Sequence, residues 1–556
     1  MELLPISPLE KPNLTEKISV LTPFVPYPVM RGETFAFHIA ATDSTASYLK
    51  RKCRARCEVR DSVGNITDKV TVRLYTLSSV PVRVAAYPDS YDDDYISILP
   101  GLYPDLLLPV TAETEVYIPQ VQTALFRVEA EALGDSPSGE YTVSVMITSY
   151  ETGDELCRTE AVMTQLDQAL PPQKTVVMQW LHADCLAERY GADSLSDAHF
   201  AILENYVRCA VENGVNALFT PVFTPPLDTE VGGERLTVQL VDVTLTGGKW
   251  SFGYEKLDRF LDMGLRCGAE YFEVSHLFTQ WGAGHAPKIM AETEDGCRRV
   301  FGWDTDASGR EYREFLAAFL PDFRAHMRER GLEDRCIFHV SDEPSEEQKE
   351  SYRSAVESVR ELLRGCTVAD ALSEASFYAE GLCSCPIAGT STAESFLSYI
   401  PEGLWVYYCC SQSVNVSNRF IAMPLGRTRI IGVQMWKARA SGFLHWGYNF
   451  WLSQYSTHMI DPFFCTDGEY FAPAGDAFSV YPGDDGKPLM SVRLRTFFEA
   501  LCDIRALTAA EEKHGRAAVE AVVDEVFGKD LSFTCYPHGD TGERILTLRR
   551  RLAALV

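Results

Sequence analysis

Between residues 50 and 150, apolar and polar positions alternate in short runs: RCEVRDSV, KVTVRLYTL, TEVYIP, ALFRVEAEA and YTVSVMITSY. A period of two is what a strand with one buried face requires. Turns such as DSVGN and GDSPSGE separate the runs, and helical periodicity is almost absent up to about residue 165. This pattern predicts an N-terminal β-sandwich over residues 1–168. The stretch LDQALPPQKT, residues 166–175, has the proline-rich character of a linker.

The texture then changes. Apolar runs without alternation are followed by amphipathic stretches with helical spacing: TVVMQWLHADC by AHFAILENYVRCAVENG, VNALFTPVF by a long loop and KLDRFLDMGLRCG, AEYFEVSHLF by EYREFLAAFLPDFRAHMRERG. CIFHVSDE leads into SEEQKESYRSAVESVRELLRG, VADALS and the weaker CPIAG follow, and LWVYYCC and GFLHWGYNF complete the series. Eight strands buried on both faces, in β/α order, predict a (β/α)8 barrel with a C-terminal helical extension over residues 169–556. The fold class expected is therefore α/β, a β-sandwich followed by a barrel. A chain of 556 residues has room for both.

Composition narrows the functions. The net charge of −27 and the lack of any stretch dominated by Lys and Arg argue against nucleic acid as a partner. No apolar run approaches the length needed to span a bilayer, and MELLPISPLEKPNLTEK lacks the layout of a secretion signal, which predicts a cytoplasmic protein. The 16 cysteines are scattered without CxxC pairs, as expected of reduced thiols rather than zinc ligands. Neither a Walker A sequence nor GxGxxG follows a strand, and no GxSxG elbow occurs. No cofactor is expected. A mononuclear metal site from His182, Asp184, His276 and His285 is a competing use of those residues, but no paired-ligand spacing such as HExxH supports it.

Chemistry in such a barrel sits at the carboxyl ends of the strands. Strand four ends in CIFHVSDEPSEEQ, placing Asp342 and Glu343 side by side. Like charges this close resist ionising together, which splits their pKa values and suits a division of acid and base roles. Pro344 biases Glu343 towards an extended conformation, and Ser345 with Gln348 fits a capping box. A structural reading, with either carboxylate capping a helix or holding an arginine, stands beside the catalytic one. The other strand ends offer Trp180, His182 and Asp184; Thr220, Thr224 and Asp228; His276, Gln280, Trp281 and His285; Tyr407 and Tyr408, then Asn418 and Arg419; and His445, Trp446, Tyr448 and Asn449. Aromatics, amides and carboxylates on one rim suit a sugar, whose apolar face stacks on rings while its hydroxyls meet polar groups.

From about residue 95 to 525 the chain resembles the bacterial domain family DUF4091, related to glycoside hydrolase family 123. GLYPDLLLP, SGEYTVSV, FTPPLDT, SHLFTQWG, HVSDEP, YYCC with NRF, GFLHWGYNFW and YPGDDGKPLMSVRL with FFEAL carry the resemblance in consistent order. It implies a retaining exo-β-N-acetylgalactosaminidase using substrate-assisted catalysis. Glu343 would be general acid and base, and Asp342 would orient the 2-acetamido group as its carbonyl oxygen attacks the anomeric carbon. Tyr408, Trp446 and Tyr448 are candidates to wall the acetamido methyl, and Asp184, His276 and Asn418 to meet hydroxyls. His182, Gln280, Trp281, Arg419 and Asn449 complete the expected substrate contacts. The expected partner is a small or oligosaccharide substrate bearing N-acetylgalactosamine, with a homo-oligomer allowed. The alternatives are a hydrolase of the same fold acting on a sugar without the acetamido group, with Asp184, Glu273 or Asp370 as nucleophile, and a non-catalytic glycan-binding protein.

Overall fold

The computed structural model describes residues 1–46 and 48–556. Its N-terminal part holds two five-stranded sheets. One is ordered Glu2–Ile6, Thr34–Thr42, Ala124–Ala132, Val70–Val82, Gly101–Val110; the other Val29–Arg31, Glu155–Ala169, Gly139–Ser149, Lys50–Arg60, Val116–Pro119. Side chains of both sheets, among them Phe37, Val128, Val143 and Ile147, share one buried cluster. The strand Glu155–Ala169 continues through Leu166–Ala169, where the proline-rich stretch had suggested a linker, because Ala169 and Gln165 pair with Arg31 and Val29.

Eight parallel strands close into a barrel in chain order: Val176–Gln179, Ala217–Thr220, Tyr271–Val274, Cys336–Phe338, Thr367–Leu372, Cys385–Gly389, Trp405–Tyr407 and Gly442–His445. All eight expected strands are present, including the weak sixth. Their lack of alternation has a simple origin, since neighbouring residues enter two different cores. Val176, Met178, Trp180, Ala217, Phe219, Ile337, Ala369, Ala371, Ile387, Trp405, Tyr407 and Leu444 fill the lumen. Val177, Leu218, Phe338, Leu372, Ala388, Val406, Tyr408 and Phe443 face the surrounding helices. The long loops after the second and third strands carry two hairpins, built on Asp242–Thr246 with Lys249–Gly253 and on Ile289–Thr293 with Gly296–Phe301, which join into a four-stranded sheet that the sequence pattern had not revealed.

The helix Val492–His514 joins the two parts. Ser491 caps its start, accepting from the Leu494 N–H at 3.1 Å. On the sheet strand Ala124–Ala132, Phe126, Val128 and Ala130 alternate with Arg127 and Glu129, so the polar pair lies on the opposite face. That face is buried against the helix: Arg127 donates to Glu499 at 2.5 Å, and Arg495 to Glu129 at 2.8 Å. Glu499 also accepts from Arg429 at 2.8 Å, Arg429 grips Asp503 through two bonds, and Arg549 bonds Glu33 at 2.6 Å. Four arginines and four carboxylates are thus buried together. Among the described residues no helix is long and apolar enough to cross a membrane.

Removing one member strands a buried charge, which typically costs about 3–5 kcal/mol. Glu499→Ala should therefore lower unfolding stability by about that amount, read as a shift of the denaturant midpoint at unchanged slope. A loss below about 1 kcal/mol would show that water or repacking relieves Arg127 and Arg429.

Candidate active site

A cavity of ≈ 200 Å³ opens at the carboxyl ends of the barrel strands, and both Asp342 and Glu343 line it, half-buried. Neighbouring residues on a regular strand would point apart, but the hydrogen-bonded strand ends at Phe338 and the chain is already turning. Glu343 has φ 42°, in the left-handed region, not the extended conformation expected before a proline. Tertiary contacts hold it there. Its N–H donates to Ala371 O at 3.2 Å, and the Tyr407 hydroxyl donates to its carboxylate. Asp342 is fixed through its backbone, its carbonyl accepting from the Trp281 N–H at 2.9 Å. Beyond Pro344 the expected capping box forms, its Ser345 N–H donating to Gln348 Oε1 at 3.0 Å.

Beneath the pair lies a buried polar floor. Glu273 accepts from Trp180 Nε1 at 2.6 Å and from His339 Nε2 at 2.8 Å. Asp370 accepts from the Val340 N–H at 2.9 Å and from the Tyr352 hydroxyl at 2.6 Å. Burial alone would lower the His339 pKa, but its contacts with Asp370 and Glu273 outweigh this and raise it to about 10, so the imidazole is cationic at neutral pH. His276 stacks on it with ring centroids 4.6 Å apart, and burial together with that charge keeps His276 neutral.

Burial and mutual repulsion raise Asp342 well above the usual carboxylate range, against the pull of His339. Burial also raises Glu343, but the Tyr407 hydroxyl opposes the rise. Both shifts favour keeping a proton on the pair. In the free cavity the donated bond from Tyr407 favours charge on Glu343 and the proton on Asp342, the reverse of the protonated Glu343 that the family resemblance implies.

His182, Gln280, Trp281 and Trp446 line the cavity with the carboxylates, as do Trp180, Asp228 and Tyr407. The His182 ring is already engaged, donating from Nε2 to Trp446 O at 2.9 Å and accepting from Arg235 at Nδ1 at 3.1 Å; burial and Arg235 lower its pKa to about 3. Asp228 is a third carboxylate in the wall, raised by burial to about 6.

Seven expected substrate contacts lie elsewhere. Asp184 is buried in a two-bond ion pair with Arg235, at 2.7 and 2.8 Å, and His276 sits in the floor. Tyr408 faces the helices because strand parity sends Trp405, Tyr407 and Cys409 inward instead. Asn418 spends its amide on Cys409 O, Gln412 O and the Arg419 N–H. Arg419 is buried against Gln179, His445 and Gly447 O. The Tyr448 hydroxyl donates to Tyr206 O at 3.2 Å within the core, and Asn449 clasps the backbone of His182 through both amide atoms. Of the four residues considered for a metal, His182 and Asp184 are bonded to Arg235, and among the described residues the four do not form a cluster of ligand atoms.

Tyr455, Gln454 and Phe471 also line the cavity, from the long segment after strand eight. Nothing in their local sequence marks them; only the return of that segment over the mouth does. Tyr407 carried a usable signal, its parity with Trp405.

The model of the catalytic domain of glycoside hydrolase 123 matches residues 180–510, well over half of the chain and spanning every barrel strand after the first. The chain belongs to glycoside hydrolase family 123. A solved family 123 glycoside hydrolase from Clostridium perfringens, described for the details of glycolipid glycan hydrolysis, superimposes with a TM-score of 0.74 at 13% identity, covering 100% of this chain and 97% of that one. That likeness extends the shared fold to the N-terminal sheets. A Bacteroides uniformis β-glucuronidase gives a TM-score of 0.29 at 11% identity over 87% of this chain and 48% of its own. A Bacteroides ovatus GH5 xyloglucanase gives 0.27 at 8% identity over 85% and 97%. No curated protein matches.

The two tyrosines of the family 123 hydrolase's seventh strand end offer a direct test of this placement. A hydrogen bond to a charged group contributes about 1.5–3 kcal/mol, so Tyr407→Phe should lower kcat/KM by roughly 10- to 100-fold. Tyr408→Phe, whose hydroxyl has no partner and does not reach the cavity, should stay within about twofold. Equal losses in steady-state assays would contradict the assignment of inward and outward faces.

Proposed function

We propose that this glycoside hydrolase is a retaining exo-β-N-acetylhexosaminidase, with N-acetylgalactosamine as the favoured sugar, in which the substrate's own 2-acetamido group is the nucleophile. The observation that carries this reading is the neighbouring carboxylate pair in one cavity wall. Retaining enzymes that form an ester on the protein place their carboxyls about 5 Å apart across the sugar. Asp184, Glu273 and Asp370, three candidate nucleophiles for a sugar without the acetamido group, are held in ion pairs or hydrogen bonds away from the cavity.

In this reading the acetamido N–H donates to Asp342 and stabilises its anion as the carbonyl oxygen attacks the anomeric carbon. Glu343 then takes up the proton of the pair and delivers it to the glycosidic oxygen. The bond between anomeric carbon and leaving oxygen breaks, and an oxazolinium ion forms. Water, deprotonated by Glu343, opens that ion with net retention. Substrate binding thus reverses the proton distribution of the free pair. Trp180 and Trp446 provide apolar walls, while Gln280 and Asp228 provide polar contacts for hydroxyls. Among the described residues no Lys or Arg lines the cavity, which favours a neutral sugar over a uronic or sulfated one.

Matched 4-nitrophenyl β-glycosides of N-acetylgalactosamine, N-acetylglucosamine and galactose test the reading. Turnover of an acetamido sugar with little of galactose is expected, and turnover of galactose alone would overturn assisted catalysis. Glu343→Gln should lower kcat by about 10²–10⁴-fold, more for alkyl than for nitrophenyl leaving groups.

The pH profile adds a second check. Activity needs one proton on the pair and is lost as pH rises through the upper pKa, which burial has raised. Because the Tyr407 hydroxyl lowers the Glu343 pKa, Tyr407→Phe should move the alkaline limb of kcat/KM to higher pH. A limb that stays or moves to lower pH would exclude this proton assignment.

A further inference from the structure

The aromatic residues of the cavity fall into two depths. Trp180 is 3% exposed, and Trp446 is partly covered with its Nε1–H donated to Asp476 at 2.9 Å. Trp281 and Tyr455, in contrast, are 45% and 41% exposed at the mouth. They come from different loops, after the third and eighth barrel strands, and meet edge to face with centroids 6.4 Å apart and planes at 89°. Such exposure of two large rings serves no core.

Both rings stand on costly backbone. Trp281 has φ 57° and Tyr455 φ 59°, followed by Ser456 at 56°. Residues in this region are held only where surroundings over-determine them, typically at functional sites. Here the anchors are specific. The Trp281 N–H donates to the carbonyl of Asp342 itself, and Ser456 Oγ donates to Asp228 O at 2.6 Å. The rings are thereby placed relative to the carboxylate pair and the cavity wall.

We infer that Trp281 and Tyr455 form the leaving-group subsite, a stacking platform for a second, neutral pyranose attached to the sugar that is released. The inference rests on the proposed exo-acting glycosidase. When the terminal sugar fills a blind cavity, its glycosidic oxygen faces the mouth, so the next ring projects across whatever borders the opening. Exposed indole and phenol faces match the apolar C–H face of a pyranose. Gln454, exposed beside them, adds an amide for its hydroxyls. The three carboxylates lining the cavity, with no Lys or Arg among its described lining residues, disfavour an anionic second sugar.

The test compares two substrates sharing one terminal sugar: a methyl β-glycoside, too small to reach the platform, and a β-linked disaccharide ending in galactose. The readout is the ratio of their kcat/KM values in wild type, Trp281→Ala, Tyr455→Ala, Trp281→Phe and Tyr455→Phe. Each alanine should lower the ratio by about tenfold, and the phenylalanine variants should restore most of it. An unchanged ratio, with both substrates losing equally, would overturn the subsite and leave the rings a structural role. The terminal sugar is whichever one the wild type hydrolyses, so failure of acetamido sugars to turn over would count against the proposed function and not against the platform. If neither substrate is cleaved, calorimetric affinities of the disaccharide and of the free monosaccharide for Glu343→Gln, with and without Trp281→Ala, give the same ratio. Equal affinity losses for the two sugars would again overturn the subsite.

Discussion

The fold depends on a charge-balanced seam that water does not reach. Arg127 and Glu129 from a sheet, Arg495, Glu499 and Asp503 from the helix Val492–His514, and Arg429, Arg549 and Glu33 around them form ion pairs at 2.5–3.5 Å, with a few of their atoms, such as Glu129 Oε2 and Arg549 Nε, left without a hydrogen bond. Well-packed apolar residues would hold the two parts together at least as strongly. What ions add is geometry, because a two-bond guanidinium–carboxylate contact tolerates little sliding. A second such contact, Arg493 with Asp105, also binds the carbonyls of Arg419 and Gly475, and the Arg419 side chain reaches Gln179 and His445 at the ends of barrel strands. The N-terminal sheets are in this way tied through one helix to the strand ends that border the cavity.

At the other end of that chain of contacts, the carboxylate pair occupies an environment that is enclosed, acidic and yet supplied with one buried cation. His339 keeps the floor from becoming wholly anionic, since it faces Glu273 and Asp370 at once. Without it, Asp342 would sit above two unneutralised carboxylates. The floor tunes the pair from below, whereas Tyr407 acts on Glu343 from the side. The two members thus experience different fields although they are adjacent in sequence.

The architecture was readable in the sequence because it rests on periodicity. Period-two runs marked the sheet strands, and runs such as TVVMQW and GFLHWG marked barrel strands buried on both faces. The family 123 resemblance and the location of Asp342 and Glu343 were likewise legible, as strand ends are few and barrel chemistry gathers there. Which rim residues face the cavity was less so. Tyr408, Asn418, Arg419 and Asn449 have the right side chains near the right ends, but Tyr408 is turned by parity, Asn418 is held by loop backbone, and Arg419 and Asn449 bond partners hundreds of residues away. Arg235, which occupies both His182 and Asp184, lies in a loop whose course no local pattern specifies. The buried charges were hidden for a related reason. ALFRVEAEA reads as a strand with a solvated polar face, and only the distant helix turns that face into an interior.

The left-handed backbone at Glu343 has a consequence for anyone trying to make this enzyme more robust. Stabilisation strategies routinely replace non-glycine residues of positive φ by glycine, which relieves strain that costs of order 1 kcal/mol or more. Applied here by rule, they would target Glu343, along with Trp281, Asp228 and Tyr455 around the same opening. The positions that look most improvable are the ones whose side chains the cavity uses. Gains in thermal tolerance are better sought at Leu195, Asn415 or Arg439, which share the backbone strain but lie outside the cavity wall.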